Sequence, residues 1–313
     1  MTNTMEPEKL ISHTASVENI DVLLQQISAR IRNENDKPYA TVERQLELLQ
    51  QLTEFDFGLF LLQNRGINGY WTHYMLTHPW FGKKTGKNNR GVMMGELESF
   101  ILNRAPTILA TQERFEIFLK MNQASVKNGA KLACIPSGMM GELLYLNSDM
   151  GEVVQLIGID YDPHALLDAH KLALTRGLVE IIHLEQANAW DLKIENAFDL
   201  ISSNGLSIYE ADDNKVTALF QEFFKALKPG GKLVTSFLTP PPTLSDACEW
   251  DFSQINQDDL LLQKIIFVDI LDSKFQCYRS TAFTQTQLES VGFSRIEFIQ
   301  DKANMFPTVV AYK

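Results

Sequence analysis

Lys131-Leu132-Ala133-Cys134-Ile135-Pro136-Ser137-Gly138-Met139-Met140-Gly141-Glu142 is the stretch on which the fold turns. Lys131–Pro136 reads as a short buried strand, and the apolar spacing over 141–147 as a helix. Between them lies a turn holding Gly138 and Gly141. A strand that passes through such a turn into a helix opens a βα unit. The pattern repeats downstream. Leu156–Asp160, Ile181–Leu184, Phe198–Ser202 and Lys232–Phe237 read as strands, and 163–176 and 212–227 as helices. Strands alternating with helices imply a parallel sheet. Thr284–Val291 is then a helix, followed by strands Arg295–Gln300 and Thr308–Tyr312. The link between these last strands is too short for a parallel crossover, so the pair must be antiparallel. The expected class is α/β: a doubly wound, seven-stranded, mostly parallel sheet with one antiparallel strand near the C-terminus.

Upstream of Asn128-Gly129 the pattern is helical instead. Val17 to Arg32, Thr41 to Leu52 and Phe55 to Asn64 are apolar at helical spacing, and two more helices are expected over 94–103 and 107–127. Tyr70-Trp71-Thr72-His73-Tyr74-Met75-Leu76 forms a dense aromatic segment, and Lys83 to Gly91 a basic loop. Residues 1–15 read as a loose tail. Two units follow: a helical N-terminal cap over 1–127 and the α/β unit over 128–313.

The chemistry begins at the first turn. Its glycines let a ligand approach the backbone, and the following helix N-terminus offers free N–H groups to an anion. Asp160 ends the second strand, about 20 residues after this turn, where an acid accepts hydrogen bonds from both hydroxyls of a ribose. Asp162-Pro163 has a structural explanation as N-cap and first helical residue. Asp160 has none. Asn188-Ala189-Trp190 follows the third strand, where a polar side chain can read an adenine edge and Trp190 or Tyr161 can flank its face. Ser203-Asn204-Gly205-Leu206 follows the fourth, beyond the carboxyl end of the sheet, where ligands of open α/β folds bind.

Together these residues resemble the class I, Rossmann-like S-adenosylmethionine-dependent methyltransferases. The resemblance covers 131–313. Its carriers are the 135–141 turn, Gly158-Ile159-Asp160, Asn188-Ala189, Phe198-Asp199-Leu200-Ile201-Ser202, Leu227-Lys228-Pro229-Gly230-Gly231 and the closing antiparallel pair. It implies S-adenosyl-L-methionine as cofactor. Ser137, Gly138 and Met139 would line its methionine portion, Asp160 would hold the ribose, and Tyr161, Asn188, Ala189 and Trp190 would surround adenine. Asn204, Gly205 and Leu206 would line the side nearest the methyl group. Two positions depart from the family's pattern: Pro136 stands where the turn usually has glycine, and Cys134 where the first strand often carries an acid. In many relatives an N-terminal addition forms a lid over the substrate.

Methyl transfer requires orientation, and a base where the nucleophile is protonated. His73 and Tyr209 are the candidates for catalysis, His73 having an ordinary pKa near neutrality. Tyr70, Trp71, Tyr74 and Arg279 are candidates for contact with the acceptor; aromatic side chains suit a planar or cationic molecule, and Arg279 an acidic one. For Trp71 and its neighbours the structural alternative is packing of the helical part onto the sheet, and for Arg279 it is a surface role.

Other chemistries lack their signatures. Gly82-Lys83-Lys84-Thr85-Gly86-Lys87-Asn88 has its glycines too close for a phosphate loop and no Ser or Thr after the lysine. The six histidines show no His-x-x-x-His pair, and no metal is expected. A nicotinamide-dependent oxidoreductase shares the glycine turn and the ribose acid, but its G-x-G-x-x-G is broken at Pro136. A non-catalytic binding protein with a degenerate cofactor pocket is the other alternative.

Composition sets the outer limits. The 313 residues are 45% apolar and 21% charged, as in folded globular chains. The 28 basic and 39 acidic side chains leave a formal charge of −11, which disfavours nucleic acid. The first 130 residues are balanced, so the excess of acid lies beyond them. The three cysteines, Cys134, Cys248 and Cys277, form no C-x-x-C and fit a reducing compartment. Met1 to Leu10 is polar, without the apolar core of a signal peptide, and no apolar run approaches a membrane span. A cytoplasmic protein acting on a small-molecule acceptor is expected, with a protein acceptor left open.

Overall fold

A computed structural model describes residues 19–147, 154–273 and 277–313. The expected tail over 1–15 lies outside them. Among the described residues seven helices come first: α1 (Ile20–Glu34), α2 (Val42–Leu52), α3 (Asp56–Asn64), α4 (Gly69–Thr77), α5 (Gly82–Thr85), α6 (Glu96–Asn103) and α7 (Pro106–Gln123). Then strands and helices alternate: β1 (Lys131–Cys134), α8 (Gly141–Leu144), β2 (Gln155–Asp160), α9 (Pro163–Arg176), β3 (Ile182–Gln186), β4 (Phe198–Ser203), α10 (Asp213–Ala226) and β5 (Leu227–Ser236). The chain continues through α11 (Gln257–Lys264), a π-helical turn at Ile265–Ile270, α12 (Thr281–Val291), β6 (Ser294–Ile299) and β7 (Thr308–Tyr312).

The seven strands form one sheet in the order β3-β2-β1-β4-β5-β7-β6. β7 runs antiparallel to both β5 and β6; the other pairings are parallel. This is the expected α/β class. Alternation along the strands divides the core into two faces. Ala133, Ile157, Ile159, Ile201, Leu233 and Val309 pack with Phe220 and Phe223 of α10 and Leu288 of α12. Leu132, Cys134, Leu156, Leu200, Val234 and Val310 pack with Phe118 of α7, Leu143 of α8 and Leu172 of α9. A strand buried on both faces reads as a continuous apolar run, as Leu156–Ile159 does.

Local signals fix the helix ends. The Asp162 side chain accepts from His164 N–H ahead of Pro163, and α9 stops at Gly177 in the left-handed region, φ 69°. Asp212 caps α10 and Ser280 caps α12 in the same way.

The helical layer has a core of its own. Leu52, Phe57, Leu62, Trp71, Ile101 and Leu102 are buried in it. Phe115 of α7 lies in this core while Phe118, one turn on, faces the sheet, so α7 joins the two. The segment after β5 also returns here: Ile265, Ile266, Ile270 and Leu271 pack among the N-terminal helices. The Arg30 guanidinium donates to the carbonyls of Asp269 and Ile270, and Lys37 pairs with Asp269 at 2.9 Å. No helix of the described residues is long and apolar enough to cross a membrane.

Candidate active site

Strand order reverses between β1 and β4, and register makes their ends level. Cys134 stands opposite both Gly158 of β2 and Ser202 of β4. The turn after β1, the end of β2 and the loop after β4 therefore open at one edge of the sheet, the place where ligands of this topology bind. Ser137 N–H donates to the Ile159 carbonyl at 2.8 Å and stitches the turn to β2. Gly138, at φ 46°, turns its N–H onto Asp160 Oδ2 at 2.9 Å. Ser137 Oγ donates to the same oxygen at 3.4 Å, and Asp162 N–H donates to Oδ1 at 3.0 Å. Burial pushes the Asp160 carboxyl above its ordinary range, and these backbone donors pull it back. A Cβ on Gly158 would stand 2.6 Å from Met140 Sδ and 2.7 Å from Leu184 Cδ2, so both side chains would have to shift to admit it. Tyr161, next to Asp160, is exposed.

Deeper along the same edge is a buried polar cluster. Asn204 Nδ2 donates to Glu142 Oε1 at 2.6 Å, and Cys134 Sγ lies 3.6 Å from Glu142 Oε2. Asn122 of α7 donates to the Glu142 carbonyl at 3.2 Å and to Ser202 Oγ at 3.0 Å. The side-chain oxygens of Asn122 and Asn204 are buried without a partner among the described residues. Burial and the adjoining Glu142 carboxylate drive the Cys134 thiol well up, so it stays protonated.

The helical layer closes over the turn. A Cβ on Gly69, the first residue of α4, would stand 3.3 Å from Gly138 Cα. One turn along α4, His73 stacks on Tyr145, with Nε2 and the Tyr145 hydroxyl 3.0 Å apart.

Residues 138–231 match the family model of a methyltransferase domain, and the match runs from the glycine turn to the start of β5. The chain carries a methyltransferase domain over 138–231, on a sheet whose strand order is Rossmann-like.

A solved structure of a possible exported protein from Bordetella parapertussis is 41% identical, with a TM-score of 0.89, over 99% of both chains, so the helical layer and the sheet occur together there too. An uncharacterized protein of Haemophilus influenzae is 35% identical over 79 residues, 25% of this chain and 31% of that protein, so the match spans under a third of the curated relative's length. A SAM-dependent methyltransferase from Aquifex aeolicus is 16% identical, with a TM-score of 0.44, over 64% of this chain and 90% of that one. Nothing about substrate carries over at that score.

On this methyltransferase fold the residues singled out from sequence fall into three groups. Ser137, Gly138, Met139, Asp160 and Tyr161 lie together at the ends of β1 and β2, and Asn204, Gly205 and Leu206 at the end of β4. Asn188, Ala189 and Trp190 follow β3, but two of the side chains are engaged structurally. Asn188 Oδ1 accepts from Trp190 N–H at 3.0 Å, and the Trp190 indole donates to the Lys215 carbonyl at 2.9 Å.

The third group belongs to the helical layer and its surroundings. Trp71 is buried in the helical core, stacked on Phe57 at 5.2 Å. The Tyr74 hydroxyl donates to buried Glu98 at 3.1 Å, and burial raises the pKa of both groups. These contacts give Trp71 and Tyr74 a packing role. Tyr70 is exposed, edge-on to Trp71. His73 is neutral: burial lowers its pKa to about 4. Tyr209 is half-buried beside Arg114, and burial raises its hydroxyl pKa.

Arg279 is corrected. It is buried, with Nε on Asp213 at 2.8 Å, Nη1 on the Ser207 carbonyl at 2.9 Å and Nη2 on the Glu210 carbonyl at 2.7 Å. Its guanidinium ties α10 and the loop after β4 together and is neither on the surface nor open to an acceptor. Glu142, Asn122 and Arg114 were not legible as site residues. Asn122 and Arg114 lie on α7, and their partners stand 20 to 122 residues away in the chain.

Proposed function

We propose that the protein transfers a methyl group from S-adenosyl-L-methionine to a small-molecule acceptor, in the cytoplasm. The observation that carries this reading is the Asp160 carboxylate, held by three donors at the end of β2 beside exposed Tyr161. The residues present fit the cofactor. Asp160 retains lone pairs for ribose hydroxyls. Glu142 and the unpartnered Asn204 Oδ1 offer acceptors to an ammonium group, and Glu142 supplies the acid that Cys134 does not. When bound, the cofactor supplies an electrophilic methyl on a sulfonium.

The protein's own residues orient and enclose. Asp160 fixes the sugar, Tyr161 covers the base, and Asn204, Gly205 and Leu206 line the reacting end. Neutral His73 serves as a hydrogen-bonding group on the cap side. With a pKa near 4 it is a weak base, so an acceptor whose nucleophile is already deprotonated or neutral is favoured. Helices α1–α7, with the returning segment 257–272, form the lid. A protein acceptor would have to reach past this layer, so a small molecule is the better fit.

A second reading has its own observation. Gly69 rests on Gly138, where the methionine portion would lie. A cap fixed in that position would leave a binding protein without turnover. Formation of S-adenosylhomocysteine from S-adenosylmethionine separates turnover from binding alone, and a thermal-shift panel tests the cofactor. Methyl transfer predicts stabilisation by S-adenosylmethionine and S-adenosylhomocysteine and none by NADH. Stabilisation by NADH alone, or by none of the three, refutes it.

A further inference from the structure

Arg114 lies on α7 and is 5% exposed. A guanidinium has five N–H donors and no means of shedding its charge at neutral pH. At Arg114 one hydrogen bond is made, from Nη1 to Ser236 Oγ at 3.1 Å. Nε is buried without a partner among the described residues. Among the described residues, no carboxylate lies within ion-pair distance of it. The neighbouring acids are engaged elsewhere: Asp301 accepts from the N–H groups of Ala303, Met305 and Phe306, and Glu142 from Asn204.

Arg279 shows what a structural arginine looks like in the same molecule. It is equally buried, and each of its three nitrogens has an oxygen partner. Arg114 is left short, although an unpaired buried charge is among the most costly arrangements in a protein.

Its position is also specific. Ser236 ends β5 and Gly205 follows β4, so the guanidinium stands at the carboxyl edge of the sheet. It is on the opposite side of β1 from Asp160, beyond the end where the ribose would sit. Gly205, at φ 84°, presents bare backbone to it; a Cβ there would stand 3.5 Å from Nη1. The Phe306 ring supports the guanidinium at 4.8 Å, which holds its plane for a two-pronged contact.

We infer that Arg114 is the receptor for a carboxylate carried by the methyl acceptor, with the Ser236 hydroxyl as the second contact. The inference rests on the methyl-transfer reading for the word acceptor, but not for the anion site itself. It narrows the substrate class to small organic acids and accounts for a buried guanidinium that has no carboxylate partner among the described residues.

The test is calorimetric titration of the full chain with acetate, benzoate and phenylacetate, and with the matching amides, with and without saturating S-adenosylhomocysteine. At least one acid should bind about ten-fold or more tighter than its amide, as a charge-assisted pair requires. Arg114→Lys should weaken that acid, and Arg114→Met should abolish the preference. The wild-type comparison of acid with amide stands even if a variant fails to fold. Equal binding of acids and amides, no binding of any acid, or an unchanged preference in Arg114→Met overturns the inference. So does a loss in Arg114→Met of affinity for S-adenosylhomocysteine but not for 5′-methylthioadenosine, which would give Arg114 to the cofactor's own carboxylate. Failure of S-adenosylhomocysteine to bind while an acid still does refutes only the methyl-transfer reading.

Discussion

Gly69 of the helical layer and Gly138 of the first turn meet backbone to backbone; a Cβ on Gly69 would lie 3.3 Å from Gly138 Cα. The bare Gly69 permits that approach at the start of α4, and Gly138 supplies the positive φ of 46° in the turn. The contact seals the edge of the sheet where the amino-acid end of the cofactor is proposed to lie.

Gly69→Ala therefore loosens the seal. The added methyl forces α4 away from the turn by a few tenths of an ångström. Stopped-flow association of S-adenosylhomocysteine should be faster in the variant, with a melting temperature lower by about 1–2 °C, corresponding to about 1 kcal/mol. Unchanged or slower association would show that α4 does not gate the turn.

His73 makes stability depend on pH. Its folded pKa of about 4 lies below the ordinary 6.5. The unfolded chain therefore binds the proton first, and stability falls as pH drops from about 6.5 towards 4. The full loss is about 3 kcal/mol. His73→Gln can keep a hydrogen bond to Tyr145 and does not titrate. Urea unfolding at several pH values should show the variant's slope reduced by that amount over this window. Parallel slopes would contradict a neutral buried imidazole.

Arg279 is predicted to be a stability residue. Arg279→Met strands the Ser207 and Glu210 carbonyls and should cost about 3 kcal/mol. Denaturation midpoints measure this. A variant of normal stability with weakened acceptor binding would return Arg279 to the acceptor site.

Asp160 should impose a pH limit on the cofactor. Its carboxyl is held above the ordinary range by burial, so protonation sets in at milder acidity than for a free aspartate. The protonated form gives up acceptor capacity to the ribose. Affinity for S-adenosylhomocysteine should be flat near neutrality and fall as pH drops through the raised pKa. A pH-independent affinity down to pH 4 would count against ribose recognition by this group.

Much of the sheet was legible because its signals are local. The apolar run Leu156–Ile159, the Asp162-Pro163 helix start and the short link before Thr308 each follow from neighbours in sequence. Asp160 was legible for the same reason, standing a fixed distance from the turn. The segment Gln257–Leu271 was not assigned to any element, because its apolar residues fit a helix whose partners, Arg30 and Lys37, lie more than 200 residues away. Arg279 looked like a surface residue because nothing nearby in sequence shows that Asp213 and two carbonyls enclose it. Trp71 and Tyr74 stood out as aromatic, yet composition does not show which way α4 faces. Arg114 gave no signal at all, since a single basic residue on an apolar helix is ordinary until its surroundings are known.

The most direct test of the central claim is calorimetric titration with S-adenosylhomocysteine of the wild-type chain beside Asp160→Ala. The account predicts micromolar binding by the wild type and its loss in the variant. No binding by the wild type, or equal binding by both, would contradict it and leave the fold without a cofactor at Asp160.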